Sequence, residues 1–441
     1  MVSRPRHPDG RVDRYFLLLS LVALLAFAVR EQFVLTTIVD APIRGDIREY
    51  VNYAWNLVHH GVFSAQAPAS GHIPAPDAYR LPGYPLLLAL GMTWFPQDLA
   101  WISFVLQVQV LLGTATVVLV GLLAREWLSS TWSITAAGLL AMWPHHIAAT
   151  GAMLSEVVFG FALLAGLFCF SRAWRERRVV TWFAAAGASL GYAWLVNPIL
   201  LPFPFALYVL AWRHGQGRGA AFMLAVFLLP VAAMIIRNAN INAPNSGSLQ
   251  RAQLNFVQGS WPTYHKAANR FRAGDPIAIS IMEQIQQEAD ALQDDPLHGA
   301  RMIESRMSAQ PGFYVRWYAS KAWLLWNWKI QLGASDIYYH DVKRSPLDRA
   351  PLHWIVVAYR VINPLLTTLL LAGCVTVPAM GWRQRRWVPA AAVSGLALYL
   401  TIAHVVLQAE PRYAIAYRGL EAVIVASLCA FGVDRFRQRL D

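Results

Sequence analysis

The chain has 441 residues, 56 % of them hydrophobic and 14 % charged, with a formal net charge of +12. Apolar runs long enough to cross a bilayer as helices recur between short Arg-rich links, which excludes a string of soluble domains, and the runs are too long for barrel strands. Cys169, Cys374 and Cys429 all sit inside apolar runs, so neither a disulfide framework nor a cysteine metal site is expected; the positive excess is read as cytoplasmic loops rather than a nucleic-acid surface.

Ten spans are expected, with cores near 15–37, 99–124, 132–149, 153–171, 179–197, 199–212, 219–236, 353–380, 388–407 and 413–433. The first carries Ala26-Phe27-Ala28 after a basic tail, the pattern of a signal-peptidase site; retention is the expectation, and the later spans hold the chain in the membrane either way. The sixth follows Pro198 and is short. Basic segments (REWLSST, SRAWRERR, RHGQGRG, GWRQRRW, DRFRQRLD) alternate with links that hold one Arg among them (WPHHIAATG, VNPIL, QAEPR). By the positive-inside rule both termini are cytoplasmic. The spans group into a seven-span module over 1–236, with its first outer loop at 30–98, an outer region over 237–352, and a three-span module over 353–441.

Along the outer loop, Ile47, Tyr50, Val51, Ala54, Leu57 and Val58 recur at helical spacing from Asp46, with Arg48, Glu49, Asn52, Asn56 and His59 opposite. An amphipathic helix on the membrane surface is predicted, stopped at Gly61. Asp46 and Glu49 stand three apart, which is a capping-box spacing; a carboxylate at a helix start is also held in its charged form, as a general base must be. Arg80 precedes Leu81-Pro82-Gly83-Tyr84-Pro85, a stiff turn before an apolar helix. A cation fixed there suits a phosphate head group, while the plainer reading is an Arg that snorkels.

Pro144 breaks the third span, and Ser155-Glu156 opens the next from outside, where an acid is costly unless paired or functional. His145-His146 has no clustered acids nearby in sequence, so no metal site is assigned. Arg237 leaves the seventh span into an Asn/Ser/Gly-rich stretch read as a loop. Helices are predicted over 276–293 and 296–310, and an aromatic, basic interfacial helix after Pro311-Gly312. Glu410, Arg412 and Tyr413 precede the last span. Three arginines (Arg80, Arg237, Arg412) and three acids (Asp46, Glu49, Glu156) therefore fall at one membrane face.

Taken in order, Asp46 with its helix, RLPGYPLLLAL, LSEVVF, RNANINAPNSGS…NFVQGSWP, SAQPGFYVRWYASKAWLLW and EPRYAIAY resemble the polytopic glycosyltransferases of the GT-C fold. The likeness is to the bacterial branch of the lipid A aminoarabinose transferase and the protein O-mannosyltransferases. Ile47 after Asp46, and Asn197 before Pro198, depart from that pattern. The resemblance implies an all-α membrane protein of about ten spans, with interfacial helices and one mainly helical periplasmic region. It implies an inverting transferase in the bacterial inner membrane. The enzyme would move a sugar from a polyprenyl-phosphate donor to a lipid, glycan or exported-protein acceptor on the periplasmic side. Asp46 would be the base, with Glu156 orienting the acceptor or assisting; Arg80, Arg237 and Arg412 would hold the donor phosphate. Glu49, Tyr50, Tyr84, His146 and Tyr413 are further candidates for substrate contact. No cofactor is required, because arginines can neutralise the leaving group; Asp46 and Glu156 are the pair that would hold a divalent cation. Two rivals carry over: a polymerase or ligase using a diphosphate-linked lipid, and a lipid-glycan transporter, which should show repeat symmetry and mid-membrane charges.

Overall fold

The computed structural model describes residues 9–68, 72–97, 99–175, 179–241, 247–271, 273–383 and 387–440. The basic tail before residue 9, the links at 176–178 and 384–386, and the core of the Asn-rich stretch at 242–246 lie outside the described residues.

Helix α1 (Asp9–Thr36) runs into β1 (Ile38–Val39), followed by α2 (Asp46–His60), α3 (Gly83–Trp94) and α4 (Ala100–Ala124). Then come α5 (Ser130–Ala141), α6 (Pro144–Ala149), α7 (Glu156–Ala173), α8 (Val179–Val196), α9 (Phe203–Arg213) and α10 (Gly217–Ala239). A second set follows: α11 (Ser248–Ser260), α12 (Tyr264–Phe271), α13 (Pro276–Asp294), α14 (Pro296–Ser308) and α15 (Pro311–Trp326). After β2 (Val342–Arg344) the chain closes with α16 (Leu352–Arg383), α17 (Val388–Val406), the short α18 (Pro411–Ala414) and α19 (Arg418–Leu440).

Eight segments are long and apolar enough to cross a membrane: 14–36, 100–124, 156–173, 179–196, 217–239, 352–379, 388–406 and 411–433. The chain is a multi-pass membrane protein. Two of the ten expected spans fall short of this standard. The run at 132–149 splits into α5, of 12 residues, and α6, because Pro144 starts a new helix; twelve residues rise about 18 Å, less than a hydrocarbon core of about 30 Å. Its freed Leu140 and Ala141 carbonyls accept from Arg30 at 3.2 and 3.0 Å, and Arg30 also meets His146 Nδ1 at 2.8 Å. The run at 199–212 opens in a 3-10 turn at Pro198–Leu200 and is broken at Pro202, and only α9, which carries Pro204 in its first turn, is α-helical.

Helix α7 packs between α4 and α8, α8 against α10, α16 against α17, and α19 against α5 and α16. Charges buried inside this bundle cap helix ends. Arg418 is fully buried, pairs with Glu421 at 2.6 Å and donates to the carbonyls of Trp326 and Asn327 at the end of α15. Helices α11 to α14 enclose a smaller apolar cluster of Val257, Tyr264, Ile285, Ala289 and Ile303. Asp275 and Asp295 cap α13 and α14, each accepting two backbone N–H groups of the first turn. The antiparallel β1–β2 pair ties the end of α1 to the approach to α16, so the loops after α1 and before α16 share one end of the bundle.

Candidate active site

The site is built first by α2. Gly61, at φ 66°, ends the helix in the left-handed conformation that glycine adopts without strain. One edge of α2 is buried through Ile47, Tyr50, Tyr53 and Ala54. Asn56, expected on the wet face, is buried too, because its amide donates to Ser64 and Gln66 carbonyls at 3.0 and 2.9 Å. Asp46 is not the cap: Gly45 holds that position, with no side-chain cap. The Asp46 carboxylate instead accepts from Arg80 Nη2 at 3.0 Å and from Arg412 Nη2 at 2.7 Å, one guanidinium per oxygen. Charge-assisted bonds of this kind are about twice as strong as a neutral one, so the arginines win over the backbone.

Arg80 is 4 % exposed and does not snorkel. Its Nε donates to Glu49 at 2.6 Å and its Nη1 to Tyr50 Oη at 3.0 Å, with the guanidinium 4.5 Å from the Tyr50 ring centre. Its backbone N–H donates to Tyr53 Oη, and Tyr53 in turn donates to Asp77, whose carboxylate accepts the N–H groups of Ala65 and Tyr79. The stiff turn read from sequence is therefore clamped from behind. Arg412, on α18, packs 4.3 Å from the Tyr339 ring and sets its Nε 3.2 Å from Glu156 Oε1. Acids and guanidiniums alternate: Glu49, Arg80, Asp46, Arg412, Glu156.

Burial alone would raise the Asp46 carboxyl, but Arg412 and then Arg80 outweigh it and hold the group well below the usual carboxylate range. Nearby, burial, followed by Arg44 and Arg412, pushes His340 down to about 4. The neutral ring accepts from Arg44 Nε at 2.8 Å.

A cavity of about 410 Å³ opens onto this array. Its walls come from the start of α2, from Tyr79-Arg80, from Arg251, Leu254, Asn255 and Gln258 of α11, from residues 332–334 and 339–341, and from Gln408, Glu410, Arg412 and Tyr413. Of the residues singled out from sequence, Asp46, Glu49, Arg80, Glu410, Arg412 and Tyr413 line it. Others do not. Glu156 sits behind Arg412 on a separate small cavity. Tyr50 braces Arg80 and reaches Ser155, while Tyr84 donates to Gln109 at 2.9 Å and meets Tyr50 edge-on, so both support the site from behind. His146 is turned away to Arg30 by the break at Pro144. Arg237 bonds Asn238 and the Phe63 carbonyl and lies 5.1 Å from the Phe63 ring, away from the cavity walls.

Arg251, which was not singled out from sequence, lines the cavity, and Arg237 does not. Arg251 has no hydrogen-bond or ion-pair partner among the described residues, yet its charge adds to the field on Asp46. The stretch read as a loop is helical from Ser248, and Arg251, Asn255 and Gln258 stand at i, i+4 and i+7 on it. That polar stripe was the available signal. Among the described residues no three His, Cys, Asp or Glu side chains group as a metal site, and the Arg412 guanidinium stands between Asp46 and Glu156 where a shared dication would sit. The pair as arranged does not fit a metal.

No family model and no curated protein sequence matches the chain. Solved structures do. The Archaeoglobus fulgidus oligosaccharyltransferase AglB, in complex with an inhibitory peptide and a dolichol-phosphate, superposes over 98 % of this chain at TM-score 0.52 and 16 % identity. Its apo form does so over 96 % at TM-score 0.50 and 15 % identity. This chain spans about half of either, 52 and 51 % of their lengths. ArnT of Cupriavidus metallidurans bound to undecaprenyl phosphate aligns over 95 % of this chain and 78 % of its own, at 14 % identity, but a TM-score of 0.41 is too low to carry weight. The run of apolar helices, the helical insert before α16 and the superposition along nearly the whole chain agree: this membrane protein has the GT-C fold.

Proposed function

We propose that the chain is an inverting glycosyltransferase that moves a sugar from a polyprenyl-phosphate donor to an acceptor hydroxyl on the outer face of the bacterial inner membrane. The carrying observation is the alternating line of acids and guanidiniums at one cavity, with Arg251 beside it and without a hydrogen-bond or ion-pair partner among the described residues. The fold neighbour that was solved with a dolichol-phosphate supports a lipid-borne donor. The orientation rests on the Arg-rich links, and residues 237–352 then form the outer region that shapes the acceptor side.

In this reading Arg251, Arg412 and Arg80 hold the donor phosphate, and each guanidinium supplies several N–H donors to its oxygens. The acceptor oxygen attacks the anomeric carbon in line as the bond to the phosphate oxygen breaks. The acceptor proton passes to Asp46, and the lipid phosphate leaves as an anion already neutralised by fixed cations. Configuration inverts because there is one displacement. Asp46 between two guanidiniums is a weak base. An arriving phosphate competes for the same N–H groups, so Arg80 and Arg412 loosen their hold on the carboxylate, whose proton affinity climbs once the donor is in place. Glu156, behind Arg412, keeps that side chain aimed rather than touching acceptor. No step needs a metal.

The test is binding to purified protein of labelled polyprenyl phosphate, with polyprenol and polyprenyl diphosphate as competitors. The monophosphate should bind best, and Arg251→Gln should weaken it about tenfold, the loss of about 1.4 kcal/mol. Polyprenol binding as well as its phosphate, or a clear preference for the diphosphate, overturns the proposal. The second outcome favours the polymerase or ligase reading.

A further inference from the structure

We propose that Lys321 is a positioning residue for this site: its buried ammonium locks together the two backbone segments that carry Arg251 and Arg412 to the cavity.

Lys321 lies on α15 and is fully buried, with no carboxylate within ion-pair distance among the described residues. An unpaired buried ammonium is costly, so its environment must supply partners. Two carbonyls do so. Nζ donates to Gly259 at 3.0 Å and to Leu407 at 2.5 Å, and it lies 4.6 Å from the Tyr318 ring centre. Gly259 lies in the last turn of α11, and Leu407 is the residue that caps α17. Carbonyls at helix C-termini lack intrahelical partners and carry the negative end of the helix dipole. Two such ends converge on one cation, which explains why a lysine is tolerated there without an acid.

The two segments touch backbone to backbone. A Cβ on Gly259 would fall 1.9 Å from the Leu407 carbonyl oxygen, so only glycine permits this approach. From this junction the chain runs to the cavity in both directions. Upstream on α11 are Gln258, Asn255 and Arg251; downstream of Leu407 are Gln408, Glu410 and Arg412. Helix α11 has a second tie, since Arg306 donates to Ser260 through both its backbone and side-chain oxygens and pairs with Glu288. Removal of the ammonium therefore takes away the hydrogen-bonded tie between α11 and α17, while Arg306 and Trp317, whose Nε1 donates to the Gly259 carbonyl at 2.9 Å, keep α11 anchored to α14 and α15.

That the junction matters for transfer rests on the function proposed above; that Lys321 holds the two segments does not. The experiment separates the two. Spin labels are placed at Leu249 and Val406, which are 71 and 47 % exposed, and their distance distribution is measured in full-length protein. Polyprenyl phosphate binding is measured alongside. Lys321→Met should broaden the distribution and weaken binding about tenfold, with Lys321→Arg recovering part of both. Gly259→Ala, which pushes the same segments apart while keeping the lysine side chain, should reproduce the effect and serves if Lys321→Met does not fold. Unchanged distances in Lys321→Met or Gly259→Ala overturn the inference whatever the binding result. Broadened distances with unchanged binding keep the lock and remove its role in donor recognition.

Discussion

Asp46→Asn keeps the side-chain volume and removes the charge. The present carboxylate accepts from Arg80 at 3.0 Å and from Arg412 at 2.7 Å, one oxygen each. An amide offers a single oxygen, so one guanidinium is left facing an N–H₂ group. The loss is one charge-assisted bond, about 1.5–3 kcal/mol. It should stay below the roughly 3–5 kcal/mol of stranding a buried ion, because Arg80 keeps Glu49 and Arg412 keeps Glu156. The protein should therefore fold, with a lowered melting temperature. Transfer should fall about 10²- to 10⁴-fold, the range for loss of a general base. Glu49→Gln is the control. It touches the same Arg80, but its side chain is 40 % exposed, so screening limits the cost to under about 1 kcal/mol, and transfer should stay within about tenfold. The assay is incorporation of labelled sugar from polyprenyl-phosphate donor into the membrane fraction, run beside a detergent melt. Wild-type transfer by a folded Asp46→Asn protein, or equal losses in both variants, would refute the assignment and leave Asp46 as a counter-ion.

Removing a cation beside a carboxylate raises its pKa. Arg80→Gln should therefore move the acid limb of the pH–rate profile upward, since Asp46 would stay protonated to higher pH; an unmoved limb would mean that Asp46 is not the titrating base. Arg237→Gln should leave the affinity for polyprenyl phosphate within about twofold, because Arg237 bonds Asn238 and Phe63 rather than lining the cavity; a loss as large as that of Arg251→Gln, about tenfold, would reverse the two roles. Glu156→Gln should leave donor affinity nearly intact and lower turnover through a less firmly aimed Arg412; a donor-affinity loss matching Arg251→Gln would place Glu156 at the phosphate instead.

The amino-acid sequence by itself determined what depends on near neighbours. Hydropathy along one helix sets the long spans, and i, i+3, i+4 spacing with a left-handed glycine sets α2 and its end at Gly61. Asp275-Pro276 and Asp295-Pro296 set the starts of α13 and α14 through bonds that span three residues. The sequence set Arg80 on a stiff turn at the same membrane face as the acids, but its contact with Asp46, 34 residues away, came from the tertiary structure. Tertiary structure decided the rest. Arg412 reaches Asp46 across 366 residues, Arg251 joins from a helix that reads as an Asn/Ser-rich loop, and Arg237 and His146 are drawn off by Phe63 and Arg30. An arginine carries the same chemistry wherever the chain puts it. Which acid it meets depends on the packing of distant helices and on which freed carbonyls compete for its N–H groups, and no local pattern encodes that competition.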